Sequence, residues 1–191
     1  MQNESEITRA FIAIEVPENV KARLAEIQRD FKKRMGSASW TRLQGFHITL
    51  KFLGNIDGAQ IDALKKALAE PFAQPAFKVA IERTGIFPSP QKARVLWAGV
   101  GTGEDGLHAL YSEVEERAAA VGFEREKRPY TGHLTLARFR NPCMIMPALL
   151  EMRLDCPEFV ADRVVLFKSE LNPAGSIYTP LAARDLRPSN A

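Results

Sequence analysis

The sequence His47-Ile48-Thr49-Leu50 occurs a second time, with one aliphatic exchange, as His133-Leu134-Thr135-Leu136. Successive side chains of a β-strand point to opposite faces, so the histidine and the threonine of each copy share one face. The two aliphatic residues take the other face. The chain has only three histidines, and two of them stand in this repeated context. Two such strands side by side would bring two imidazoles and two hydroxyls into one cleft.

The residues around the first motif alternate between strand and helix patterns. FIAIEV predicts a strand, and an apolar stripe after Pro17 predicts a helix that ends at Gly36. Asp57 is a suitable N-cap for a second helix. A later stretch with Gly85 and two prolines is typical of a loop, and we interpret it as a boundary between two halves. The predicted elements are strand 11–16, helix 18–35, motif strand 46–53, a helix from 57 and strand 77–83, with the loop at 84–93.

The same pattern starts again after this loop. The glycines of the turn after RVLWAGV precede two acidic residues, which favours a hairpin or a strand-to-helix turn over a phosphate-binding loop. The distance from Phe11 to His47 is 36 positions, and that from Val95 to His133 is 38. We therefore predict one bilobal domain over 1–191, with pseudo-repeats at about 9–84 and 94–182 related by an approximate twofold axis. The elements of the second half are strand 94–100, helix 105–121, motif strand 132–139, helix 146–152 and strands 159–168 and 177–182.

Composition places the chain among ordinary globular proteins. Of its 191 residues, 46% are hydrophobic and 26% are charged, which excludes a disordered chain. The net charge of +3 is too small for a broad nucleic-acid-binding surface, so any contact with a polyanion should be local. No apolar run approaches the ~20 residues of a membrane span. With Cys143 and Cys156 as the only cysteines and no apolar leader at 1–10, we expect a cytoplasmic protein with no disulfide and no membrane partner.

Two imidazoles beside two hydroxyls favour phosphoryl transfer without a metal. Imidazole has an ordinary pKa of ~6.5, so one ring can accept a proton while the other donates one. The hydroxyls of Thr49 and Thr135 can stabilise the charge that develops on phosphate oxygens. A zinc site is the competing interpretation, but catalytic zinc normally has three protein ligands, and neither motif strand contains Asp or Glu. His108 lies in a predicted helix and is interpreted as a surface residue.

Two basic residues near the motifs are candidates for binding a phosphate. Lys51 follows Thr49 by two positions and so shares its face. Arg138 has the opposite parity and reaches the cleft only if the strand bulges after Leu136. Five other residues could stack on a base or bind a phosphate, although packing or surface roles are at least as common for them. They are Trp40, Arg42, Arg128, Tyr130 and Tyr178.

Several stretches, taken together with the motifs, resemble a known family. They are FIAIEVP, FHITLKFLG, FPSP with RVLWAGV, HLTLAR and FKSEL with Tyr178. Over residues 9–186 the chain resembles the 2H phosphoesterase superfamily. Within it, the chain is most similar to the bacterial and archaeal RNA 2′,3′-cyclic phosphodiesterases, also called 2′-5′ RNA ligases. It departs from that family at Leu43 and Gly132, where relatives commonly have proline.

The resemblance implies a fold and a role for each motif residue. The fold would be α+β and bilobal with a pseudo-twofold axis, two antiparallel sheets flanking a central cleft and helices outside. His47 would be the proton donor to the leaving oxygen, and His133 the proton acceptor from water. Thr49 and Thr135 would bind the phosphate, and neither a metal nor another cofactor would be required.

The implied reaction opens a 2′,3′-cyclic phosphate at an RNA end and leaves a 2′-phosphate. A 5′-hydroxyl in place of water would give reversible 2′-5′ ligation with the same groups. RNA ends, tRNA fragments among them, are the expected partners, and a monomer is the expected state. Two alternatives stay open at this point: a cyclic phosphodiesterase of small nucleotides, and a noncatalytic module that binds RNA ends.

Overall fold

Strands and helices alternate through both halves of the chain in the computed structural model, which describes residues 7–35, 37–172 and 175–189. The first half contains β1 (Thr8–Glu15), α1 (Glu18–Arg34), β2 (Ser39–Trp40), β3 (His47–Ile56), α2 (Gly58–Ala69), β4 (Phe77–Val79) and β5 (Ile81–Phe87). The second half contains β6 (Ala93–Val100), α3 (Glu104–Ala120), β7 (His133–Cys143), α4 (Pro147–Leu150), β8 (Phe159–Ala161), β9 (Arg163–Glu170) and β10 (Ile177–Asp185).

Two four-stranded antiparallel sheets carry the motif strands, one in each sheet. The first sheet has the order β10-β9-β1-β3, and the second has the order β2-β7-β6-β5. The run β9-β1-β3 corresponds to β5-β6-β7, so the late strand of each half pairs with the opening strand of the other half. The short strands β4 and β8 pair with each other as a third sheet. The predicted α+β fold with antiparallel sheets is confirmed, and its two halves interlock.

The predicted helices are confirmed because their ends carry clear local signals. Helix α1 starts after Pro17 and has basic residues in its last turn, where they interact favourably with the helix dipole. Helix α2 has a capping box: Gln60 N–H donates to the Asp57 carboxylate at 2.8 Å, and the Gln60 side chain accepts from the Asp57 N–H at 3.1 Å. Helix α3 begins after Gly103, whose φ of 89° completes a strand-to-helix turn. The predicted end of α1 at Gly36 lies outside the described residues.

One continuous apolar core underlies both sheets and anchors the motif strands. The aliphatic residues of the two motifs, Ile48, Leu50, Leu134 and Leu136, are all at most 2% exposed and belong to this core. Burying one such side chain fully contributes roughly 1.5–3 kcal/mol. Because alternate residues of these strands are held in the core, the histidine and threonine side chains must face outward.

Three predicted segments differ from the structure, since strand pairing depends on distant partners. The single strand predicted at 77–83 is two strands, because β4 pairs with β8 whereas β5 pairs with β6. The strand predicted at 159–168 is divided in the same way between β8 and β9. The predicted loop at 84–93 is wrong over its first four residues, which belong to β5. Gly85 lies there because the ring of Trp97 occupies the space that a Cβ would need.

Candidate active site

The two motif strands bulge at the same place, and the bulges decide which residues face outward. In β3 the pairing register to β1 shifts between Thr49 and Lys51, and in β7 the register to β6 shifts between Thr135 and Ala137. Two consecutive residues of each strand therefore point into the core. After each bulge the next residue returns to the face of the histidine and the threonine. That residue is Phe52 in β3 and Arg138 in β7.

Both motifs line one cleft of about 510 Å³. Its lining includes His47 and Thr49 from β3 together with His133 and Thr135 from β7. The juxtaposition expected from the repeat is thus present, with the strands on different sheets. Arg138 also lines the cleft, as the sequence predicted for the case of a bulge after Leu136.

Each imidazole is held by a backbone group two residues before it. His133 Nδ1 lies 2.7 Å from the carbonyl oxygen of Thr131. Because a carbonyl can only accept, the proton of the neutral ring is on Nδ1, and Nε2 is left as a base. His47 has the equivalent hydrogen bond to the backbone of Gly45. The same tautomer at both positions leaves the far nitrogen of each ring free for chemistry.

Burial keeps both rings in their neutral form. It lowers the pKa of His47 from 6.5 to about 4, although the hydrogen bond to Gly45 opposes this shift. Nearby positive charge, including that of His133 when protonated, lowers the pKa of His47 further. Burial also lowers the pKa of His133, with a smaller opposing effect from its hydrogen bond to Thr131. Adding a proton to either ring therefore needs a compensating negative charge.

Aromatic rings fix the orientation of both histidines. Phe11 stacks on His47 with centroids 4.6 Å apart, and Tyr178 meets the same ring edge-on at 5.1 Å. Phe87 meets His133 edge-on at 5.1 Å. Phe11 and Phe87 were missed by the sequence reasoning, because their contacts depend on neighbouring strands. The alternation of FIAIEV could have indicated that Phe11 faces one side of its strand, but not which ring it would meet.

The prediction that Lys51 faces the cleft is wrong. The bulge turns Lys51 into the interior, where its ammonium lies 2.7 Å from the Glu115 carboxylate. The side chains of both residues are only 5–6% exposed. Lys51 also donates to the carbonyl of Glu124 at 2.8 Å, and the second carboxylate oxygen of Glu115 accepts from the N–H of Glu126 at 3.1 Å. Lys51 thus belongs to a buried ion pair that joins β3 to α3.

Of the five other residues considered, Tyr178 alone lines the cleft. Tyr130 supports the site from behind: its hydroxyl donates to the Thr49 carbonyl at 3.0 Å, and its ring stacks on Tyr111 at 4.1 Å. Burial raises the pKa of Tyr130, so this hydroxyl stays protonated.

The remaining candidates have other neighbours. Arg128 is exposed and bound to Glu126, and the ammonium of Lys32 lies over the ring of Trp40. Neither Trp40 nor Arg42 lines the cleft. His108 is exposed, as the sequence predicted.

The described ranges contain no group of three or more His, Cys, Asp or Glu side chains arranged to hold a metal ion. Both cysteines are present as free thiols. None of the helices in the described ranges combines the length and the apolar character that a membrane span requires.

Comparison with known proteins identifies the family. The chain matches the LigT-like phosphoesterases over residues 14–97 and 100–178. It belongs to this family. LigT-like relatives include an RNA 2′,3′-cyclic phosphodiesterase of Methanocaldococcus jannaschii, 33% identical over 174 residues, which cover 89% of this chain and 96% of the relative. An RNA 2′,3′-cyclic phosphodiesterase of Thermotoga maritima is 33% identical over 176 residues, which cover 91% of this chain and 92% of the relative.

A solved structure shows the same fold. E. coli LigT in its apo form has a TM-score of 0.78 to this chain at 24% identity, and the match covers 96% of this chain and 99% of LigT. The family resemblance and the fold class expected from the sequence are thereby confirmed. Both copies of the histidine and threonine motif lie within the matched ranges of the LigT-like family.

Proposed function

We propose that the protein hydrolyses the 2′,3′-cyclic phosphate at an RNA end to a 2′-phosphomonoester without a metal ion. Two observations support this function. The LigT-like relatives named above carry the name RNA 2′,3′-cyclic phosphodiesterase. The observation that carries the chemistry is the pair of imidazoles in one cleft, each with a free nitrogen and a threonine beside it.

His133 acts as the base and His47 as the acid in this proposal. His133 accepts a proton from water while the water oxygen forms a bond to phosphorus. The bond between phosphorus and the 3′-oxygen breaks, and His47 donates its proton to that oxygen. The phosphate then remains on the 2′-oxygen. Thr49, Thr135 and Arg138 bind the non-bridging oxygens, on which negative charge develops.

The low pKa of His47 is compatible with an acid role because the substrate itself is an anion. A negative phosphate ~4 Å from the ring, at an effective dielectric constant of about 20, stabilises the imidazolium by roughly 4 kcal/mol. This corresponds to about three pKa units. Starting from a pKa of about 4, the ring then titrates near neutral pH in the complex. Substrate binding should therefore be accompanied by proton uptake.

The same groups can also join RNA ends. If the 5′-hydroxyl of a second RNA replaces water, His133 deprotonates it and His47 again protonates the 3′-oxygen. The product is a 2′-5′ linkage, and the reverse path cleaves it. Water competes for the same position, so hydrolysis should dominate.

The decisive experiment uses an RNA that ends in a 2′,3′-cyclic phosphate and identifies the phosphate isomer of the product. We expect a 2′-phosphate, formed equally fast in buffer with EDTA. His47→Ala and His133→Ala should each reduce kcat by about 10²- to 10⁴-fold, the typical contribution of one acid or base. His108→Ala is the matched control, because this histidine is exposed and outside the cleft. A near-normal rate in either cleft variant, or loss of activity in EDTA, would contradict the proposal.

A further inference from the structure

The cleft continues beyond the histidines along the outer face of β1. Strand alternation places Arg9, Phe11 and Ala13 on one face, and Arg9 and Phe11 both line the cleft. Ala13 is paired with Thr49, so Arg9 lies four residues, or ~13 Å, further along the strand. A second hollow of about 480 Å³ starts there and shares Arg9, Ser169 and Leu171 with the cleft. The two hollows therefore form one groove.

Arg9 brings a positive charge into this groove that the protein does not neutralise. Its side chain is exposed, and it has no hydrogen-bond or ion-pair partner within the described ranges. In contrast, Arg83 and Arg163 each pair with a carboxylate at 2.6 Å. Lys168, the other cation of the second hollow, lies 3.4 Å from the carboxylate of Glu170. Arg9 is thus the cation in the groove that is available to an anionic ligand.

A stacking surface lies between Arg9 and the histidines. The ring of Phe52 is 65% exposed and lines the cleft. Its strand position is paired with Phe11, two residues from Arg9. Exposed aromatic rings beside a basic groove bind single-stranded nucleic acid by base stacking.

We propose that this groove binds the RNA chain on the 5′ side of the cyclic phosphate, with Arg9 holding the phosphodiester that precedes the terminal nucleotide. The inference rests on the proposed function and defines its substrate class more closely. A stacked strand advances ~3.4 Å per nucleotide, so ~13 Å accommodates a terminal nucleotide and the phosphate before it. The terminal base stacks on Phe52. An oligonucleotide end is therefore a better substrate than a cyclic mononucleotide with a 5′-hydroxyl, which lacks that phosphate.

The test compares two substrates with the same terminal base. One is a diadenosine dinucleotide ending in a 2′,3′-cyclic phosphate, and the other is 2′,3′-cyclic AMP with a free 5′-hydroxyl. The readout is the ratio of their kcat/KM values. In Arg9→Gln this ratio should fall about tenfold, mainly through the KM of the dinucleotide, because a charged hydrogen bond to phosphate is lost. Arg9→Lys keeps the charge and should lower the ratio by less than about threefold.

Arg94→Gln is the matched control, because Arg94 is an exposed strand residue that lines neither hollow. Its ratio should equal that of the wild type. With a longer RNA substrate, Arg9→Gln should also reduce the slope of log kcat/KM against log salt by about one. Urea midpoints of all variants exclude a folding defect.

The outcomes separate the two proposals. A wild type that opens both substrates, with a ratio unchanged in Arg9→Gln, overturns the groove and leaves the hydrolase standing. A ratio that falls equally in Arg94→Gln also overturns the groove, because the effect is then one of general charge. A wild type that opens neither substrate refutes the proposed function itself.

Discussion

Replacing Lys51 by methionine separates a stabilising role of this residue from a role in the cleft. The substitution keeps most of the side-chain volume but removes the ammonium that lies 2.7 Å from Glu115. The carboxylate of Glu115 then stays buried, with the N–H of Glu126 as its remaining partner. Removing one partner of a buried ion pair destabilises a protein by about 3–5 kcal/mol. Lys51→Met should therefore lower the free energy of unfolding by this amount.

A second substitution tests whether the loss comes from the stranded charge. In Lys51→Met/Glu115→Gln the glutamine oxygen can still accept from Glu126, and its amide can donate to the carbonyl that Lys51 leaves at Glu124. We expect the double variant to be about 2 kcal/mol more stable than the single variant, since no buried charge is left unpaired. Urea denaturation followed by circular dichroism measures these differences from the midpoint and slope.

Activity decides between the two positions for Lys51. The folded fraction of Lys51→Met should retain kcat within about threefold, because the side chain lies outside the cleft. Arg138→Gln should show the opposite behaviour, with normal stability and kcat/KM reduced about tenfold or more, because it is exposed and lines the cleft. If Lys51→Met kept its stability within 1 kcal/mol and lost activity, the buried ion pair would be refuted.

The other predictions concern the histidines and their support. The pKa of His47 is about 4 in the folded protein and ~6.5 in the unfolded chain, so stability is full above pH ~6.5 and falls as the pH drops toward 4. Between pH 7 and pH 5 the loss is at most about 2 kcal/mol, and urea midpoints should show a smaller loss in His47→Gln. Tyr130→Phe removes the hydrogen bond to Thr49 and should lower the free energy of unfolding by about 1 kcal/mol; an unchanged midpoint would argue against that bond. Thr135→Val should reduce kcat by about tenfold or more without unfolding the protein, since one phosphate contact is lost; single-turnover rates at saturating RNA measure this, and an unchanged rate would remove Thr135 from the site.

Strand exchange explains why two distant motifs face one cleft. The strand β5 of the first half pairs with β6, and β9 of the second half pairs with β1. Each sheet therefore holds residues from both halves, and the core is continuous between them. Loss of either half should disrupt both sheets, because each would lose a strand from its middle or edge.

Local signals in the sequence were sufficient for the elements and the four motif residues. Strand alternation places a histidine and a threonine two residues apart on one face whatever the rest of the chain does. The helices α1 and α2 carry their own start signals, Pro17 and the Asp57 capping box. These features depend on neighbours within a few positions, which a single sequence displays directly.

The tertiary structure alone decided the second ring of residues around the histidines. Alternation predicts that Lys51 shares the face of Thr49, but a one-residue shift in the pairing of β3 with β1 reverses its direction. Its partner Glu115 is 64 residues away on α3. The sequence by itself therefore determined which side chains could perform the chemistry and on which strands they lie. Cross-strand register decided which basic and aromatic residues reach the cleft, because a bulge arises from pairing between segments that are distant in the chain.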